Sequence, residues 1–118
     1  MTTTENDFSD FKKHLSEHRV VLYMKGTPKF PQCGFSHHVA QLMMKHQLDF
    51  GYVDVLSHPD IRKRLPLYSQ WPTFPQIFID GTLIGGCDIF LEMERNGEIS
   101  ALIEELALSQ EGKISSCI

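Results

Sequence analysis

A chain of 118 residues, 42% apolar and 22% charged, has the size and make-up of one globular domain, able to form a core without disulfides or a structural metal. Its formal net charge is -4, with Lys and Arg dispersed apart from Arg62-Lys63-Arg64; this excludes a nucleic-acid footprint and leaves that triplet to be one solvated helix face. Three cysteines, Cys33, Cys87 and Cys117, are too few and odd in number for a disulfide framework and point to a reducing compartment.

The N-terminal stretch Met1–Asp7 carries acids and no apolar core, unlike a secretory signal or a basic transit peptide. No apolar run approaches the roughly 20 residues that span a bilayer. The expectation is a soluble cytoplasmic protein with no membrane or nucleic-acid partner. Residues 1–6 are expected to be flexible, 7–107 to form the domain, and 108–118 to form a flexible tail.

In chain order, Phe8, Phe11 and Leu15 fall at i, i+3 and i+7 and predict a helix from about Asp7 to Glu17. Val20–Met24 reads as a buried strand, and the two prolines and glycine of Gly26–Gln32 make a loop. From Cys33 to about Gln47, Phe35, Val39, Leu42 and Met43 recur at helical spacing, and Phe50–Val55 follows as a strand. Strand, helix and strand together span roughly the 30 residues of a βαβ unit, so the two strands should be parallel.

Ser57-His-Pro-Asp60 has the form of a capping box with proline in the first turn. It should open a helix with Ile61, Leu65 and Tyr68 inward, kinked or ended by Pro66. After Trp71-Pro-Thr-Phe-Pro75, the pair Asp80-Gly81 inside Gln76–Ile84 is a strong hairpin signal. Past Gly85-Gly86 a helix begins at Cys87-Asp88 with Ile89, Phe90 and Met93 inward and Asn96-Gly97 as its stop. Ile99, Leu102, Ile103 and Leu106 mark a last helix, and the chain from Ser109 has no periodicity and should fray. The resulting α/β order predicts a four-stranded mixed sheet with helices on both faces.

Ligands on such sheets bind beyond the carboxyl ends of the parallel strands, the edge at which Lys25 and Cys33 fall. A thiol at a helix N-terminus meets unpaired N–H groups and the positive end of the helix dipole, which favour the thiolate. A lone cysteine is often a small buried hydrophobe, but Pro31 and Gly34 around Cys33 mark a turn tip. Lys25 can add to the thiolate's stabilisation or hold an anion beside it.

Three features together, Cys33-Gly-Phe-Ser36 after a strand and loop bearing Lys25, Trp71-Pro-Thr-Phe-Pro75 before a hairpin, and Gly85-Gly-Cys-Asp88 at a helix start, resemble the monothiol glutaredoxins of the CGFS type, in their bacterial-like single-domain form. The match covers roughly residues 7–107. The resemblance implies the thioredoxin-like (glutaredoxin) fold, a cis peptide before Pro75, and a 2Fe-2S cluster bridged between two chains by Cys33 of each and two glutathione molecules. It further implies a glutathione site in which Lys25 and Arg62 reach the glycyl carboxylate and the Phe74 backbone pairs with the cysteinyl moiety. By the same resemblance the Cys87 and Asp88 N–H groups are expected to face the other carboxylate, and the Asp88 side chain to take the ammonium. Iron–sulfur acceptors and BolA-type proteins are the implied partners.

The residues themselves leave alternatives. Ser36 stands where a dithiol motif has its second cysteine, and an alcohol does not resolve a mixed disulfide at neutral pH. Redox turnover therefore needs an outside thiol, with Cys87 or glutathione as candidates, and a glutathione-dependent monothiol oxidoreductase that deglutathionylates protein thiols is the alternative function. Cys87 is a further cluster ligand, a thiol that pairs with Cys33, or a modestly exposed bystander. Arg62 alone is equally a surface charge, and Asp88 equally a helix cap. His37, at i+4 from Cys33, has a spacing that ligands use, yet His37, His38 and His58 read first as ordinary helix residues. Trp71 and Phe30 are core, pocket wall or partner surface. Cys117 lies outside the match and lacks the two residues that would follow it in a prenylation box. A purely structural module would explain neither Lys25 nor the Cys87-Asp88 helix start.

Overall fold

The computed structural model describes residues 7–118; the segment 1–6 lies outside the described residues. The elements run α1 (Ser9–Glu17), β1 (Val20–Met24), α2 (Gly34–Lys45), β2 (Phe50–Asp54), α3 (Pro59–Ser69), β3 (Gln76–Ile79), β4 (Thr82–Gly85), α4 (Cys87–Arg95), α5 (Glu98–Leu106) and β5 (Ile114–Ser116). One sheet has the order β4-β3-β1-β2-β5, with β1 parallel to β2 and antiparallel to β3.

Because successive strand residues point to opposite faces, β1 feeds two cores. Val20, Leu22 and Met24 join Val39, Met43, Phe90, Ile99 and Ile103 from α2, α4 and α5. Val21 and Tyr23 join Phe11, Leu15, Ile61 and Leu65 from α1 and α3. All five β1 residues are buried, as expected of a central strand covered on both sides. The β3–β4 hairpin turns on Asp80 (φ 50°) and Gly81 (φ 79°), two successive left-handed residues whose twist suits a two-residue connection. Arg19 clasps the Asp80 carboxylate with Nε and Nη2, at 2.8 and 2.9 Å.

The sheet has five strands, so the expected four are one short. The bare edge of β2 is taken by the tail: the Phe50 N–H donates to Lys113 O and the Cys117 N–H to Tyr52 O, each at 2.9 Å. Asp49 Oδ1 accepts the Glu111 and Lys113 N–H groups at 3.0 and 2.9 Å. A three-residue, exposed Ile-Ser-Ser strand carries no periodic pattern to read, because it is held by backbone groups rather than by a buried face.

Other expectations are corrected. The N-cap of α3 is His58, with no side-chain cap bond; the Ser57 hydroxyl instead donates to Asp54 Oδ2 at 2.9 Å, since that carboxylate closes the turn after β2. Pro66 neither ends α3 nor stops its last turn, for Gln70 N–H still donates to Pro66 O at 2.9 Å and the helix closes at left-handed Gln70. Ile89 is not inward but 39% exposed, and Phe35, one of the helically spaced apolar positions of α2, is 60% exposed; both lie in first turns and line the same cleft. Arg62-Lys63-Arg64 is not one solvated face either. Arg64 is drawn onto α1, bound to Asp10 and stacked 4.8 Å above the Phe11 ring.

Candidate functional site

A cleft of about 710 Å³ opens at the carboxyl edge of β1. It gathers Lys25, Cys33, Arg62, Phe74, Cys87 and Asp88, six residues that the sequence spreads over 64 positions, with Phe35, Trp71 and Ile89 as apolar walls. The loop after β1 folds back on itself: Gln32 N–H donates to Lys25 O at 2.9 Å and Gly26 bridges to Pro31. This closure returns the chain to its starting strand and sets Cys33 beside Lys25.

Cys33 is the N-cap of α2, extended at φ -153°, and Gly86 is the N-cap of α4; neither helix has a side-chain cap bond. Two helix starts, with first-turn N–H groups that find no partner in their own helices, therefore meet in one cleft. Gly86 suits that approach, since a Cβ there would press at 3.2 Å on both Pro75 O and Trp71 Nε1. The Phe74–Pro75 peptide is cis, and the Phe74 backbone N–H and carbonyl make no hydrogen bond among the described residues.

Partial burial pushes the Cys33 thiol up, but the N–H groups of Ser36 and Phe35, the Lys25 ammonium and the Ser36 hydroxyl outweigh it and hold the thiol below its ordinary value. Ser36 is fully buried, and its Oγ also accepts the Lys25 N–H at 3.1 Å. Cys87 goes the other way. It is buried, and burial, then the charges of Asp88 and Cys33, raise its thiol. One thiol is thus prepared as a nucleophile or soft ligand while its neighbour is held protonated.

The remaining candidates stay apart. His37 and His38 are exposed on α2, their rings 5.9 Å apart, and His58 caps α3; none of the three lines the cleft. Phe30 is 72% exposed and also outside it. Cys117 packs under β5 near His18, where burial and then Glu17 push its thiol up to about 11. Among the described residues no three His, Cys, Asp or Glu side chains converge as a metal site. Sequence reasoning treated Ser36 as a missing thiol and passed over Gln76, a buried polar residue at the start of β3 whose only signal was its place in an apolar run.

A thiol at a helix start beside a cis-proline loop, on the edge of a mixed sheet with helices on both faces, defines a thiol-based protein of the thioredoxin-like fold. A family model described as Glutaredoxin matches residues 20–84. The chain is 54% identical over 96 residues to Glutaredoxin 4 of Pasteurella multocida, covering 81% of this chain and 88% of that protein. It is 48% identical over 107 residues to Glutaredoxin 4 of Escherichia coli K12, covering 91% and 90%. The solution structure of reduced poplar apo GrxS14 is similar at a TM-score of 0.76 and 41% identity, over 87% of this chain and 96% of that one. The chain belongs to the glutaredoxin family, as a monothiol member of the CGFS type.

Proposed function

We propose that the protein is an iron–sulfur carrier or scaffold that holds a glutathione-ligated 2Fe-2S cluster between two chains and serves cluster biogenesis or transfer. The observation that carries this reading is the single activated thiolate: Cys33 is lowered, Ser36 replaces a second thiol, and Cys87 is buried with its thiol raised. A thiolate-held 2Fe-2S cluster takes four sulfurs, and two chains offer two. Two glutathione thiolates complete the set, and such exchangeable ligands suit release to an acceptor.

The cleft's charges support glutathione as the companion. Lys25 and Arg62 are the cations for its glycyl carboxylate, and the free Phe74 backbone groups suit the cysteinyl moiety. The start of α4 at Cys87 and Asp88 suits the second carboxylate, with the Asp88 side chain for the ammonium. In this reading Cys33 is the metal-binding residue and Lys25, Arg62, Phe74, Cys87 and Asp88 bind glutathione. Homodimerisation runs through the shared cluster, and partners are iron–sulfur acceptors and a BolA-type protein in the cytoplasm. Among the described residues no helix is long and apolar enough to cross a membrane.

The lowered Cys33 thiol also favours a second reading, glutathione-dependent oxidoreduction. The Cys33 thiolate attacks the glutathionyl sulfur of a protein mixed disulfide and expels the protein thiolate. A second glutathione thiolate then attacks Cys33-bound glutathione, releasing glutathione disulfide and regenerating Cys33.

Anaerobic reconstitution with iron and sulfide, with and without glutathione, followed by visible absorption and molar mass, separates the two. A coloured dimer formed only with glutathione, at one cluster per two chains, is the expected result. Colour without glutathione would move the missing ligands to Cys87 or His37, and no colour in either condition would leave the oxidoreductase.

A further inference from the structure

Gln76 opens β3 directly after the cis peptide and is 0% exposed. The rest of the strand is Ile77, Phe78 and Ile79, all buried, so an apolar side chain would suit position 76. The carboxamide there donates from Nε2 to the carbonyls of Trp71 at 2.9 Å and Thr73 at 3.2 Å, while Oε1 has no partner among the described residues. A buried amide with an unpaired acceptor is unfavourable in itself. What it supplies is the pair of donated bonds, both to the loop that forms one wall of the cleft. They turn the Trp71 and Thr73 carbonyls to Gln76, while the Phe74 N–H and carbonyl, like the Thr73 N–H and the Pro72 carbonyl, have no partner among the described residues.

We propose that Gln76 is a positioning residue for glutathione, clamping the Trp71–Phe74 wall where the tripeptide docks. This rests on the reading that the cleft takes glutathione. Trp71 is the single tryptophan of the chain, so its fluorescence reports the wall without any ligand.

The test uses the full chain as wild type, Gln76→Leu and Gln76→Glu, with glutathione binding by calorimetry, acrylamide quenching of Trp71, and the pH profile of Cys33 alkylation. Gln76→Leu should melt cooperatively, show a raised Trp71 quenching constant, and bind glutathione roughly tenfold more weakly, with the Cys33 alkylation midpoint unmoved. In Gln76→Glu the neutral carboxyl can donate one bond, whereas the carboxylate faces two carbonyl oxygens. Its glutathione affinity relative to wild type should therefore fall as pH rises, a profile that space-filling alone does not produce. A folded Gln76→Leu with wild-type quenching and affinity overturns the proposal, as does a pH-independent affinity ratio for Gln76→Glu. Should Gln76→Leu fail to fold, Gln76→Glu, nearly isosteric while neutral, decides. A wild type that does not bind glutathione overturns the reading of the cleft and the ligand proposed here, and Trp71 quenching then separately reports whether Gln76 holds the loop.

Discussion

The Ser36 hydroxyl lies between two parts of the site, accepting the Lys25 N–H at 3.1 Å and adding, after the helix N–H groups and Lys25, to the lowering of the Cys33 thiol. Replacing it by alanine leaves the part-buried Lys25 N–H without its partner and removes the hydroxyl's share in lowering the thiol. Ser36→Ala is therefore expected to move the Cys33 alkylation profile to higher pH and to slow iodoacetamide modification at pH 7 by roughly two- to tenfold. An unchanged profile would mean that the helix N–H groups and Lys25 suffice without it. Cys33 was legible as the reactive thiol because proline, glycine and a following helical pattern surround it. The buried position of Ser36 was not, since nothing local says which way a helix's first turn faces.

At the scale of elements, Asp80 and Gly81 hold a turn in which both residues have positive φ. A β-branched residue at position 81 would be forced into the left-handed region, so Gly81→Val should lower stability by about 1–2 kcal/mol, read as a lower urea midpoint at unchanged slope. Strand β5 offers a second test. A chain ending at Leu108 keeps that buried residue but loses the Lys113 carbonyl that receives the Phe50 N–H. Its Phe50 amide should exchange with solvent faster, while β1, flanked by β2 and β3, keeps its protection. Equal protection at Phe50 in both chains would show that β5 adds nothing to the sheet in solution. The freed edge of β2 would also favour pairing between chains.

For the whole molecule, acid sensitivity should trace in part to His14. This histidine is buried under α1 with Nδ1 2.9 Å from the Tyr23 hydroxyl, and burial lowers it below its ordinary 6.5 despite the opposing charges of Asp10 and Glu17. Below pH 6.5 the unfolded chain takes up a proton that the folded chain refuses, so stability drops as pH falls from there and levels off beneath the folded value. Urea midpoints measured from pH 8 to pH 5 should decline less steeply in His14→Gln than in wild type. Parallel declines would assign the acid loss to other groups.

The sequence by itself determined the helices, the first four strands, the hairpin turn and the reactive cysteine, because each is written in a window of a few residues. The period of apolar positions, a proline or glycine at a boundary, and a thiol at a helix start all act locally. The motifs also sufficed for the family, since their residue types and spacing survive without coordinates. Only the tertiary structure decided what depends on residues distant in the chain. It paired the aperiodic tail with β2 through backbone groups that no side-chain pattern records, and brought Arg62 and Asp88 to the same cleft as Cys33. It also turned Ile89 outward where helical spacing alone turned it in. A period gives the angle between side chains on one helix, but the direction of the core is set by what packs against that helix.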